Sequence, residues 1–184
     1  MSSSRSLVWF RGKDLRLADH RPLEEALRGP EAILVFVLDP YFFAAERAAN
    51  LPHRMQFLLE SLRALQQEVR NRGSELLVIP GRSVEVIPRC AKQWGVDRVL
   101  AYRWSEPFGR ERDQRIAREL EIPLVLMEGE TLHEAGSVVT KQGTPYRVYT
   151  PFARALEEQL VTRSSVPAPQ SLPPVPAAPA IFYI

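Results

Sequence analysis

The chain has 184 residues, long enough for one full hydrophobic core and too short for two ordinary domains. An apolar content of 45% with 25% charged residues is globular composition, and no apolar run reaches the length of a membrane span. A net charge of +2 with a pI of about 8.9 is too mild to argue for nucleic acid, so direct DNA binding is not expected.

The start, Met1-Ser2-Ser3-Ser4-Arg5-Ser6, lacks the apolar segment of a secretory signal. The single Cys90 has no Cys partner for a disulfide or a metal. Both features fit a reducing, cytoplasmic setting, with Cys90 read as a small buried hydrophobe. His20, His53 and His133 show no ligand spacing, and no Ser-His-Asp order or convincing carboxylate pair suggests hydrolysis.

Leu7-Val8-Trp9-Phe10 reads as a strand that breaks at Gly12 into a loop carrying Arg11, Lys13, Asp14, Arg16 and Asp19. In open α/β sheets ligands gather beyond the carboxyl ends of the strands. The residues alone leave two readings open: a ligand site, or a mutually paired loop that ties this strand to its neighbours. Arg11, Asp14 and Arg16 are assigned to structural ion pairs.

Pro22 stands where a first helical turn begins, with Leu23, Ala26 and Leu27 on one face. Residues 32–38 form an unbroken apolar run, typical of a strand covered on both faces, and Asp39-Pro40 stops it. A long helix follows from about His53 to Arg72. Its Met55, Leu58, Leu59, Leu62, Leu65 and Val69 recur at three- and four-residue spacing, chiefly to cover the sheet, before Gly73 ends it.

Leu76 to Ile79 is a third strand, then a helix runs from about Ser83 to Trp94 with Ser83 as cap. Val96 to Tyr102 and Pro123 to Met127 are the fourth and fifth strands. Between them lies a helix with Arg110, Arg112, Arg115 and Arg118 among Glu111, Asp113 and Glu119. It is read as exposed and held by pairs such as Glu111 to Arg115. Apolar strands separated by helices predict an α/β fold: a Rossmann-like parallel five-stranded sheet with helices on both faces, in a single domain.

After Gly129 the texture changes. Val138 to Phe152 reads as an irregular, hairpin-like excursion into a final helix, with Thr150 as cap and Pro151 in the first turn. Past Arg163 the Pro-rich composition reads as an extended, semi-rigid linker over 164–184, leaving residues 1–163 as the domain. The terminal Ile181-Phe182-Tyr183-Ile184 is a docking plug, a disordered end, or the scar of a truncated reading frame.

Three motifs carry a resemblance: Trp9-Phe10-Arg11 with Asp14-Leu15-Arg16-Leu17-Ala18-Asp19, Glu106-Pro107-Phe108-Gly109-Arg110-Glu111-Arg112-Asp113, and the stretch Gly143 to Phe152. Together, over about residues 6–163, the chain resembles the N-terminal α/β domain of the photolyase/cryptochrome family. In that family this domain holds a light-harvesting antenna chromophore in many members. A larger helical domain holds the catalytic FAD, so FAD is not expected in this chain alone, nor repair activity by itself.

The resemblance implies an antenna pocket at Val37, Leu38 and Asp39, at Arg54, Met55 and Leu58, and at Trp104 and Glu106. Met55, Leu58 and Trp104 would sandwich a flat ring, backbone groups around Leu38 would meet its polar edge, and Arg54 would offset a phosphate's charge. Phe108 and Gly109 stand where folate-binding members carry a polar or acidic pair, which points to FMN or a deazaflavin. Trp104 departs from the acidic residue of deazaflavin binders. The expected partner is a separate FAD-binding photolyase-type domain, or a second copy through the exposed domain interface. The alternative is a chromophore-free docking module or a truncated photolyase.

Overall fold

The computed structural model describes residues 4–160 and 164–176. Residues 181–184, the expected plug or loose end, lie outside the described residues. Five parallel strands form one sheet in the order β3-β2-β1-β4-β5. They are β1 (Arg5–Phe10), β2 (Glu31–Leu38), β3 (Leu76–Pro80), β4 (Arg98–Tyr102) and β5 (Leu124–Met127). The helices are α1 (Arg21–Ala26), α2 (Pro40–Phe43), α3 (Ala45–Asn50), α4 (Pro52–Asn71), α5 (Ser83–Gln93), α6 (Pro107–Glu119) and α7 (Tyr149–Gln159).

The unbroken apolar runs have the expected cause: the sheet is covered on both faces. Central β1 shows it best, since side chains alternate along a strand. Leu7 and Trp9 enter a core with Val86, Ile87 and Trp94 at α5 and Ile116 of α6. Val8 and Phe10 enter the opposite one, with Leu23 of α1 and Leu62, Leu65 and Val69 of α4. Cys90 lies in the first core as a buried thiol, and burial pushes its pKa up to about 11.

Two short helices, α2 and α3, were not expected from the sequence. Asp39-Pro40 does stop β2, and it also starts α2: the Asp39 carboxylate accepts from the Tyr41 N–H at 3.0 Å, with Pro40 at the first helical position. The other Asp39 oxygen accepts from the Ser83 N–H and Oγ at 2.8 and 2.7 Å. Ser83 is therefore not a cap; it donates to a carboxylate 44 residues upstream, which ties α2 and α5 to the end of β2. At α1 the cap is His20, whose Nδ1 accepts from the Leu23 N–H at 3.1 Å.

Further expectations are corrected. The helix α6 is not an exposed ladder of ion pairs, because Arg112 and Asp113 are only 6% and 3% exposed and face the protein. The hairpin-like excursion read at Val138 to Phe152 is present, with an antiparallel bridge from Val139 to Pro145 closed by a Thr140–Thr144 hydrogen bond of 2.8 Å. The final helix begins at Tyr149 with Val148 at the capping position, so Thr150 does not cap it.

The Pro-rich stretch is extended, as read, but residues 164–176 do not stand clear of the domain. The Val166 carbonyl accepts from the Asp19 N–H at 2.6 Å, Arg72 Nε donates to the Pro169 carbonyl at 2.8 Å, and the Leu172 N–H donates to the Arg72 carbonyl at 2.8 Å. Leu172 is 6% exposed in the α1/α4 core, and Val175 packs against the other. Composition predicted that this segment could not build a core; it joins one already built. Replacing Leu172 with Ala is expected to lower the unfolding free energy by about 2 kcal/mol. The urea midpoint should fall at constant m, and an unchanged midpoint would remove this strap from the core.

Candidate functional site

The strand order reverses direction beside β1, with β2 and β3 on one side and β4 and β5 on the other. The crevice beyond the carboxyl ends at such a point is where open α/β sheets place ligands. Here it holds a cavity of about 680 Å³, bounded by the ends of β1, β2 and β4, by α2 and α3, and by the first turns of α4. That volume lies within the range of ordinary ligand pockets.

One wall is the N-terminal half of α4. Leu62, Leu65 and Val69 are buried on the sheet, whereas Met55 and Leu58 on the same stripe are half-buried and line the cavity. The facing wall is aromatic. Phe108 stacks on Tyr41 with centroids 3.8 Å apart and planes 13° from parallel, and Phe42 meets Phe108 and Trp104 edge-on at 5.6 and 6.0 Å. Gly109 permits this wall: a Cβ there would sit 2.5 Å from Trp104 Cβ.

The floor is cationic. Arg11, directly after β1, donates Nη1 to Asp113 of α6 at 3.0 Å, with side chains 2% and 4% exposed. Arg112 donates to the other Asp113 oxygen from Nε and Nη2 at 3.0 and 2.9 Å. Two guanidiniums thus share one carboxylate, and Arg11 Nε and Nη2 are buried without a partner. Burial pushes the Arg11 pKa down to about 10 against the opposing pull of Asp113, so Arg11 remains charged at neutral pH. Both guanidiniums lie over indole rings: Arg11 is 4.2 Å from the Trp9 centroid, and Arg112 is 4.8 and 4.7 Å from Trp9 and Trp104.

The structural ion pair expected of Arg11 is present, with Asp113, whereas Asp14 and Arg16 make other contacts. Asp14 does not pair with the Arg11 guanidinium; its Oδ1 accepts from the Arg11 backbone N–H at 2.5 Å, and its Oδ2 faces His20 Nε2 at 3.5 Å. Arg16 donates to the Asp19 carbonyl at 3.2 Å. At the rim, Lys13 bridges Glu106, at 2.8 Å, and Glu130. Burial alone would raise the Glu130 carboxyl, but hydrogen bonds from Lys13 and Ser105 outweigh it and hold it down at about 2.

Of the eight residues expected from sequence, Val37, Asp39, Arg54, Met55, Leu58, Trp104 and Glu106 line the cavity. Leu38 is not among the lining residues: its side chain packs on the core beneath, and its carbonyl accepts from the Gly81 N–H at 3.3 Å. Asp39 lines the wall with its carboxylate already engaged by three donors. Sequence reasoning missed Tyr41, Phe42 and Phe43, which the helix after Asp39-Pro40 brings over the cavity, and Arg47. The signal was an aromatic triplet behind an Asp-Pro helix start. It also missed Arg112, whose neighbour Asp113 is the carboxylate that Arg11 requires.

Comparison with known proteins places this geometry. The family model for DNA photolyase matches residues 6–176. The chain is 40% identical over 171 residues to a deoxyribodipyrimidine photo-lyase of Thermus thermophilus, covering 92% of this chain and 37% of that protein. It is 36% identical over 168 residues to cryptochrome-2 of Gallus gallus, covering 89% and 28%. The crystal structure of a Synechocystis cryptochrome superposes with a TM-score of 0.84 at 28% identity, over 98% of this chain and 39% of that one. The chain belongs to the DNA photolyase family. It spans well under half the length of each of these relatives.

Two outcomes follow from the floor and the rim. Asp113→Ala leaves a buried cationic pair without its carboxylate and is expected to cost about 3 kcal/mol of stability in urea unfolding. Glu130 has a folded pKa below its unfolded value, so its contribution is complete above about pH 4.3 and is lost as the pH falls toward 2. The difference in urea midpoint between the native chain and Glu130→Gln should therefore hold from pH 7 to 5 and close by pH 2. A gap that widens on acidification would contradict this.

Proposed function

We propose that the cavity binds a flavin-type chromophore, FMN or a deazaflavin, and that the domain serves light harvesting or light sensing. The observation that carries this reading is the apolar cavity at the carboxyl ends of the strands, lined by the half-buried pair Met55 and Leu58 and by the rings of Tyr41, Phe42, Phe108 and Trp104. A flat ring fills such a cavity. Arg54 and Arg47 at the rim are placed to offset a phosphate.

When bound, the chromophore supplies absorption of visible light and transfer of excitation energy to a nearby flavin. That acceptor belongs to a separate FAD-binding domain of the photolyase type. Support comes also from a photolyase of Sulfolobus tokodaii described with two FAD molecules and a novel light-harvesting cofactor. It superposes with a TM-score of 0.74 at 25% identity. Phe108 and Gly109, standing where folate-binding members carry a polar or acidic pair, support a flavin-type ring over folate. The cytoplasm is the proposed setting; among the described residues no helix is long and apolar enough to cross a membrane.

A second reading rests on α7, which has no fully buried residue; Val148 at its capping position and Tyr149 at its start are 62% and 79% exposed. An apolar surface of this kind marks a docking face, here for a FAD-binding photolyase-type domain or a second copy of the chain.

Titration with FMN and with riboflavin, followed by absorption from about 300 to 550 nm, tests the chromophore reading. Binding should shift the flavin bands, FMN should bind more tightly than riboflavin, and Arg54→Ala should weaken FMN about tenfold while leaving riboflavin unchanged. Absence of a shift with FMN or a deazaflavin would overturn the reading and favour the docking face.

A further inference from the structure

Trp9 and Trp104 both line the cavity, and each carries cations against its ring. Trp9 has Arg11 at 4.2 Å and Arg112 at 4.8 Å from its centroid. Trp104 has Arg112 at 4.7 Å, Lys13 Nζ at 4.8 Å and Arg11 at 6.0 Å. Asp113 balances only one of the two guanidiniums bonded to it, and both are nearly excluded from water. Stability alone does not call for two guanidiniums on one buried carboxylate, since burying charge costs more than it returns unless pairing is complete.

Indole is the most readily oxidised ring in the cavity wall, and a photo-excited flavin is a one-electron oxidant. In the quenching step one electron leaves the indole for the excited ring, so that the tryptophan becomes a radical cation and the chromophore is reduced by one electron. Return of that electron restores both and dissipates the light as heat. A cation in contact with the indole opposes the first step twice. It stabilises the neutral ring through the cation–π attraction, and it repels the radical cation in a site where charges are weakly screened.

We propose that Arg11, Lys13 and Arg112 are positioning residues that hold Trp9 and Trp104 against oxidation, so that a photo-excited ring in the cavity keeps its energy long enough to pass it on. The inference rests on the chromophore reading of the same cavity. It explains how two tryptophans, 2% and 7% exposed, can border a light-harvesting site: their electrons are withheld by the cations packed on their rings.

Lys13 gives the cleanest test, because its side chain is 40% exposed and its removal leaves the buried floor intact. Its loss also strands Glu106 and Glu130 near Trp104, which makes the ring easier still to oxidise. The fluorescence lifetime of FMN bound to the full chain, with transient absorption to detect a tryptophan radical, reads the effect. Lys13→Met is expected to shorten the lifetime about threefold or more and to produce the radical signal, whereas Lys13→Arg keeps the native lifetime. Trp104→Phe should restore the lifetime in the Lys13→Met background and change it by less than about twofold in the native one.

A lifetime unchanged by Lys13→Met overturns the inference. So does a several-fold lengthening in Trp104→Phe alone, which would show that Trp104 quenches despite its cations. Failure of both FMN and a deazaflavin to bind overturns the chromophore reading, and this inference with it; binding of either with a contrary lifetime overturns the inference alone.

Discussion

The burial of Arg11 at the end of the central strand is the constraint from which the rest of the site follows. A guanidinium this far from water requires a carboxylate, and Asp113, 102 residues later, supplies it. That pair fixes α6 against the end of β1, and α6 in turn sets Phe108 and Gly109 beside Trp104. Asp39 does the same on the other side, joining the starts of α2 and α5 to the end of β2. Two acidic residues thus hold apart the walls of the cavity, while the sheet and its two cores supply a rigid base.

The cavity exists because α4 does two jobs with one apolar stripe. Its second half presses Leu62, Leu65 and Val69 onto the sheet, and its first half rises past the sheet edge, where Met55 and Leu58 find no core to enter. The short helices α2 and α3 fill the space beyond, and α2 carries the aromatic rings that close the far side. The result is an apolar slot over a cationic floor. Its apolar faces suit a flat ring, and its charges act on the ring-bearing side chains around it.

The fold was legible because parallel strands buried on both faces declare themselves as solid apolar runs, as 32–38 does. Long-range pairing was not legible. The alternating charges of α6 satisfy the local rule for an exposed helix equally well, and only the three-dimensional partner Arg11 shows that Arg112 and Asp113 turn inward. Caps failed for a similar reason: Ser83 is the right residue type for an N-cap, but it answers to Asp39, which no local window connects to it. The strap at 164–176 was hidden by composition, since a Pro-rich segment carries little apolar area and only a few side chains, Leu172 foremost, with Ala168 and Val175, pack it onto the cores. Within the site, seven residues were placed from the resemblance and the aromatic ones of α2 were not, because a four-residue helix leaves no periodicity to read.

The central claim is that a flat ring lies against Met55 in the slot between α4 and Trp104. The chain has three methionines, Met1, Met55 and Met127, which report from the N-terminus, the cavity and the end of β5. Labelled at the methyl carbon, they give three NMR signals that can be assigned by substitution. Addition of FMN should move the Met55 methyl through the ring current of the bound chromophore and leave Met1 and Met127 in place. A shift confined to Met127, or none at Met55 under conditions where FMN binds, would contradict the account.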